Sequence, residues 1–201
     1  MFSVDEYGFW KQDNPKPFEY TDEYAGGQST NELMVGLRFG WIAAIVGYDQ
    51  THNAHVVDVG AGSKATERFG STSVGKVESY DVTSDTITTE RLMSTNWDIA
   101  IFADVIEHVD DLGYMFSIPW KYAYLSFPET PPVGSWENLK DWRHFKPDEH
   151  IWMLNSEGFV AYTRDHHKDC KVLCRSNFED NIRKRWDPER PNISSLFLAR
   201  T

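Results

Sequence analysis

Apolar residues recur at helical spacings between positions 31 and 46: Leu33, Met34, Leu37, Trp41, Ile45 and Val46. Ser29 or Thr30 is placed to cap that helix, Glu32 falls in its first turn, and Gly47 follows its end. The period then shortens. Residues 55–60 form a short apolar run that stops on glycine, the pattern of a buried strand in a parallel sheet. Residues 76–82, 97–103 and 122–127 repeat it, the last closed by Pro128. Helices fit between these strands at 64–69, 90–94 and 112–118. Beyond Pro128, Pro131 and Pro132, Pro147 opens a further helix over 148–156, which Gly158 ends. Residues 159–163 and 194–198 read as two more strands, and residues 1–30 as an irregular arm with room for one helical turn. Alternating strands and helices predict an α/β sandwich around a mostly parallel sheet.

Composition supports a packed core: 40% of the 201 residues are hydrophobic and 14% aromatic. A charged fraction of 25% is ordinary for a globular chain and sets disorder aside for most of it. Acids outnumber Lys and Arg by 31 to 20, for a formal charge of −11. That balance argues against a general DNA or RNA binder, which needs clustered positive charge to displace counterions. It leaves room for a small anionic ligand held by backbone N–H groups. Cys170 and Cys174 have no second pair, so they make no zinc signature and read as reduced thiols. No basic, apolar leader opens the sequence, and the longest apolar patch, residues 41–46, is far short of a membrane span. The expected setting is soluble and cytoplasmic, without membrane contact.

Candidate chemistry gathers behind the first buried strand. Asp58-Val59-Gly60-Ala61-Gly62 follows a strand and precedes a helix. Glycines there let the backbone turn sharply and approach a ligand without an intervening Cβ, and the next helix offers unpaired N–H groups. Asp81 closes the following strand, where a carboxylate can accept both hydroxyls of a ribose. The run Gly60-Ala61-Gly62-Ser63-Lys64-Ala65 has Ala65 where the dinucleotide fingerprint carries a third glycine. By itself it is equally compatible with a strand–turn–helix corner that holds nothing.

The next acid-rich loop resolves that ambiguity by resemblance. Residues 56–62 look like the first motif of class I S-adenosylmethionine-dependent methyltransferases, and Asp104-Val105-Ile106-Glu107-His108-Val109 is similar to their segment after the fourth strand. Ser126-Phe127-Pro128 resembles the end of their fifth strand, and residues 144–150 their His-x-x-Pro-x-Glu-His stretch. The arm resembles that of type 11, 12 and 23 members, some of which act in glycan and natural-product pathways. The likeness covers residues 50–165 well and the remainder loosely. It implies a Rossmann-like three-layer sandwich and S-adenosylmethionine as cofactor. Gly60, Ala61 and Gly62 would pass under its methionine part, with Asp58 holding the turn. Asp81 would take the ribose hydroxyls, Asp104 and Val105 would line the sulfonium side, and Glu107 and His108 would face the substrate opening. Because only residues 82–97 separate the second strand's acid from the fourth strand, the sandwich is abbreviated around the third strand. Lys64 replaces a residue that is often small, and the adenine-side acid has no clear counterpart, Asp85 being a poor one.

His108 and His144 are the candidate catalytic groups, as base or substrate contacts. Small-RNA 2′-O-methyltransferases and a ubiquinone-pathway O-methyltransferase resemble this segment and bind a divalent ion through Glu-x-x-Glu-His. By that likeness Asp104, Glu107 and His108 would be ligands, with His144 a fourth; many relatives carry Asp-x-x-Glu-His without metal, and none is assigned here. His150 is expected to orient its helix or loop, and His166-His167 to lie in a solvated loop. Arg183, Lys184, Arg185 and Trp186 would sit on an amphipathic surface helix or contact a phosphate. Trp136, Trp142 or Arg143, after the fifth strand, would touch the acceptor or equally cover the core. The chain thus reads as one domain over 1–201, with an arm over 1–30, a core over 31–167 and a C-terminal helix and strand over 168–201. Its expected activity is methyl transfer to an O or N of a small-molecule or sugar-linked acceptor. Rivals are a nicotinamide-dependent oxidoreductase, a non-catalytic methyltransferase-like binding module and a nucleic-acid methyltransferase.

Overall fold

The computed structural model describes residues 2–16, 32–71, 73–82, 86–186 and 192–201. The cap at Ser29 or Thr30, the arm residues Tyr20 and Tyr24, and Asp85 lie outside the described residues, as do the side chains of Trp136, Lys184, Arg185 and Trp186.

The arm is more regular than its sequence suggests. Strands β1 (Phe2–Val4) and β2 (Trp10–Gln12) pair as an antiparallel hairpin. Asp5 makes its turn: one carboxylate oxygen accepts the N–H groups of both Tyr7 and Phe9 at 2.9 Å. The helix α1 (Glu32–Val46), buried along one face, and the short α2 (Tyr48–His52) follow. Then come β3 (His55–Val59), α3 (Ala65–Gly70), β4 (Lys76–Tyr80), α4 (Thr89–Ser94) and β5 (Trp97–Ala103), each close to its predicted range. Next are α5 (Tyr114–Ser117) and β6 (Trp120–Pro128). Beyond β6 lie β7 (Trp152–Met153), α6 (Ser156–His166), β8 (Cys170–Ser176), α7 (Phe178–Trp186) and β9 (Ile193–Arg200).

The main sheet has the order β4-β3-β5-β6-β9-β8. β4, β3, β5 and β6 run parallel, and β9 is antiparallel to both its neighbours. The carboxyl ends of β4, β3, β5, β6 and β8 therefore share one edge of the sheet. Strand alternation builds the two faces. Val56, Ile99, Ile101, Tyr124 and Phe197 pack under Val35, Phe39 and Ile42 of α1. Val57, Ala100, Phe102 and Leu125 face the other way, against Leu92, Phe116, Phe159 and Phe9 of the hairpin. No strand pairs beyond β4 among the described residues, so the sheet is shortened where the third strand was expected.

Two predicted elements are corrected and one strand is added. The helix over 148–156 is absent: residues 147–149 form a turn, Ile151 N donates to Glu107 O at 2.9 Å, and β7 pairs with β2. A helix begins only where Asn155 caps it, its Oδ1 accepting from Gly158 N at 2.7 Å. Residues 159–163 consequently lie inside α6 rather than in a strand. The strand missed in that region is β8, whose Lys171 and Arg175 interrupt the apolar run because the strand lies at the sheet edge. His166 is exposed but closes α6 rather than lying in a loop, and His167 is partly buried. The Tyr7 hydroxyl and His166 Nε2 are 2.8 Å apart, and the His167 ring stacks on Phe116 at 3.5 Å.

Candidate functional site

The glycine turn lies where the carboxyl ends of β3, β4 and β5 meet. Gly60 and Gly62 have φ of +72° and +46°. The N–H groups of Gly60 and Ala61 both donate to Tyr80 O, at 2.8 and 3.1 Å, which ties the turn to the end of β4. A Cβ at position 60 would overlap the Val105 side chain. Asp81 faces the same turn: its Oδ2 accepts from Gly62 N at 2.8 Å. Lys64, where the family often has a small residue, takes the left-handed conformation at φ +55° just before α3.

Asp58 is only 6% exposed, and strand alternation sets it on the Val56 face of β3, the side that α1 covers. Burial pushes its carboxyl up to about 6, against the hydrogen bond from Thr66 and the nearby Arg38 charge. The folded state thus holds this proton more tightly than the unfolded chain, whose carboxyl titrates near 3.8. The contribution favours folding below that value and is lost as pH rises through 6. Asp58→Asn should remove about 3 kcal/mol of pH-dependent loss across this window. Urea unfolding at several pH values checks it; a slope equal to that of the native chain would contradict the assignment.

On the other side of β3, the strand β5 runs into Asp104, a non-glycine residue at φ +56°. Its N–H donates to Ser126 O at 2.8 Å. Its Oδ2 accepts from Arg183 Nη2 at 2.7 Å, whereas Oδ1 is buried with no hydrogen-bond partner among the described residues. A single 3-10 turn, Ile106–His108, follows. Glu107 is 2% exposed, and its Oε2 likewise has no partner among the described residues. Burial and the charge of Asp104 raise its carboxyl well above the usual range. His108 Nδ1 lies 2.9 Å from Glu149 O; a carbonyl only accepts, so Nδ1 carries the proton and Nε2 the lone pair. Burial lowers this imidazole's pKa, so it is neutral at physiological pH.

The second imidazole at this point is His150, not His144. The turn over residues 146–150 closes through His150 N donating to Lys146 O at 2.7 Å, and it carries the His150 ring to within 4.8 Å of the His108 ring, nearly perpendicular. Burial, then the charges of His108, Lys146 and His144, lower His150 to about 3, while a hydrogen bond to the His144 backbone opposes them. One ligand atom each from Glu107, His108 and His150 lies within 4.8 Å of the others. The His144 ring instead packs edge-on against Trp142 at 5.5 Å. The signal for His150 was its place three residues after Pro147, but the helix expected there pointed it elsewhere. Each donor set member is suited to a divalent cation: neutral imidazoles, each with a ring hydrogen bond to the backbone, beside an unsatisfied carboxylate oxygen.

Sequence reasoning also missed a buried ionic network under Asp104. Glu179 of α7 is fully buried and receives Arg38 Nε at 2.7 Å, Arg183 Nε at 2.9 Å and the Tyr124 hydroxyl. Arg183 is therefore spoken for, and does not reach into solvent for a phosphate. Further along the same sheet edge, a cavity of about 750 Å³ opens between the hairpin and the start of the loop after β6. Tyr7, Trp10, Glu129, Thr130 and Arg175 are among its lining residues. Thr130 is 5% exposed, and its hydroxyl has no partner among the described residues. No helix among the described residues is long and apolar enough to cross a membrane.

No family model and no curated protein matches the chain. Among solved structures, it is similar to the 1,6-didemethyltoxoflavin-N1-methyltransferase of Burkholderia thailandensis with bound 1,6-didemethyltoxoflavin and S-adenosylhomocysteine. That match has a TM-score of 0.59 and 13% identity over 100% of this chain and 99% of the other. It is also similar to the magnesium protoporphyrin IX methyltransferase of Synechocystis PCC 6803 with bound S-adenosylhomocysteine, at TM-score 0.56 and 15% identity over 94% and 90%. A putative sarcosine dimethylglycine methyltransferase from Galdieria sulphuraria matches at TM-score 0.57 and 10% identity over 83% and 85%. The fold is that of the class I S-adenosylmethionine-dependent methyltransferases.

Proposed function

We propose that this class I methyltransferase fold serves methyl transfer from S-adenosylmethionine to an oxygen or nitrogen of a small-molecule or sugar-linked acceptor. The observation that carries the reading is the glycine turn of β3, flanked by Asp81 at the end of β4 and by Asp104 at the end of β5. The residues fit the cofactor. A Cβ at position 60 has no room, and a buried Asp104 oxygen awaits a donor. Two of the similar proteins hold S-adenosylhomocysteine, and their substrates are small molecules, which supports the same classes here. The cofactor supplies a methyl already activated on sulfonium, so the chain's own work is to align the acceptor and take its proton where it carries one. His108 is suited to the latter, its neutral ring fixed by Glu149 with the lone pair on Nε2. His144 is left as an acceptor contact.

Isothermal calorimetry tests the reading. S-adenosylhomocysteine should bind, and NADH should not. Heat from NADH alone favours the oxidoreductase, and heat from neither favours a non-catalytic module. Asp81→Ala should weaken S-adenosylhomocysteine by about 1–3 kcal/mol through lost charged hydrogen bonds; an unchanged affinity contradicts the ribose role. Mass spectrometry of an extract incubated with labelled cofactor then identifies the acceptor.

One observation, the unsatisfied Glu107 Oε2 beside two neutral imidazoles, favours a second reading in which Glu107, His108 and His150 hold a divalent cation at the acceptor's mouth. Cobalt(II) titration should then give visible absorption bands that His150→Ala abolishes. A chain that takes up no cobalt leaves His108 as the base alone.

A further inference from the structure

We propose that Arg183 is a positioning residue, which turns Asp104 so that its unpartnered oxygen receives the ammonium group at the amino-acid end of the bound nucleoside. The inference rests on the cofactor reading above and goes beyond it, because Arg183 lies on α7, outside every motif that carries the resemblance.

Three features of the structure lead there. First, Asp104 is held in a conformation that L-residues avoid, at φ +56°. Its two oxygens are treated unequally: Oδ2 is clamped by Arg183 Nη2 at 2.7 Å, and Oδ1 is buried without a partner among the described residues. A buried carboxylate oxygen left this way is costly unless a donor arrives. Second, the clamp is itself rigid. Arg183 Nε and Nη2 both bond Glu179 Oε2, at 2.9 and 2.5 Å, and Glu179 is fixed in turn by Arg38 and the Tyr124 hydroxyl. The Arg183 side chain is therefore anchored from the inside, and the second N–H of its Nη2 turns to Asp104. Third, the sheet order places β4 and β5 on opposite sides of β3. A ligand that crosses the β3 glycine turn with its ribose at Asp81 must bring its other end to Asp104. For S-adenosylhomocysteine that end carries an ammonium group, and a carboxylate is its natural partner.

The test compares two ligands in calorimetry. S-adenosylhomocysteine carries the amino-acid end, whereas 5′-methylthioadenosine lacks it and keeps the ribose and adenine. Arg183→Met and, separately, Asp104→Asn should each weaken S-adenosylhomocysteine about tenfold, the worth of a charge-assisted hydrogen bond. Both variants should leave 5′-methylthioadenosine within about twofold, and Arg183→Lys should recover part of the loss. Circular dichroism establishes that each variant is folded, and Arg183→Gln carries the test if Arg183→Met is not. Equal weakening of both ligands would make Arg183 a purely structural residue and overturn the proposal, as would an unchanged preference for S-adenosylhomocysteine. A native chain that binds neither ligand instead overturns the cofactor reading on which this rests.

Discussion

Glu179→Ala should cost about 3–5 kcal/mol of folding stability, the range for removing one partner of a buried ion network. The carboxylate is fully buried between two guanidiniums and a phenol. Burial alone would raise its pKa, but Arg38 and Arg183 outweigh that and hold it at about 2. Without it, Arg38, itself 3% exposed, faces the Tyr124 and Phe178 side of the core with its charge uncompensated. The loss should appear as a lower urea midpoint at an unchanged m-value. Replacing the set together, with Arg38→Met, Glu179→Leu, Arg183→Met and Asp104→Asn, should cost much less, since Asp104 otherwise loses its Arg183 partner and the fourfold change leaves no orphan charge. The pH dependence has a definite sign. A carboxylate held at about 2 contributes stability that is complete above its unfolded value near 4.5, and that is lost as pH falls from there toward 2. Glu179→Ala should lack this acid limb. A midpoint within experimental error of the native chain's would remove the network from the account of stability.

That network also shows where sequence stops being informative. The α1 pattern predicted a helix, and the helix is there over Glu32–Val46. Its buried side is set instead by Met34, Val35, Arg38, Phe39 and Ile42, while Leu33 is 52% exposed. An arginine inside an apolar stripe has no local signature, because its partner Glu179 stands 141 positions away. The parallel strands, by contrast, announce themselves, since burial on both faces demands apolar runs such as Ile99–Phe102, or Val56–Val59 broken only by Asp58. The same reasoning explains the failures. β8 is an edge strand and carries Lys171 and Arg175, and β1, β2 and β7 are too short to establish a period. At the site, Gly60, Gly62, Asp81 and the Asp104–His108 loop were readable because each is fixed by its position after a strand. His150 was not, because its placement depends on β7 pairing with a hairpin 140 residues earlier in the chain, Trp10 with Met153 and Lys11 with Trp152.

Gly60→Ala should abolish most cofactor affinity, by about 2–5 kcal/mol, at least some thirtyfold, while the sheet stays folded. Two separable costs make up that figure. A side chain at φ +72° is worth about 1–2 kcal/mol of backbone strain. Overlap of the new methyl with the Val105 branches adds about 1–3 kcal/mol, the usual price of overpacking. The turn can relieve both by moving, but its N–H groups are bonded to Tyr80 O, and Gly62 N is bonded to Asp81. Relief therefore displaces Asp81, the carboxylate assigned to the ribose, and with it the floor under the ligand. Val105→Ala opens space without touching φ. The double variant Gly60→Ala with Val105→Ala should thus regain the packing share of the loss and keep the strain share. Calorimetry with S-adenosylhomocysteine on the four chains of this cycle measures both shares. Full affinity in Gly60→Ala would mean that the nucleoside does not lie against this turn at all, and the ribose role of Asp81 would fall with it.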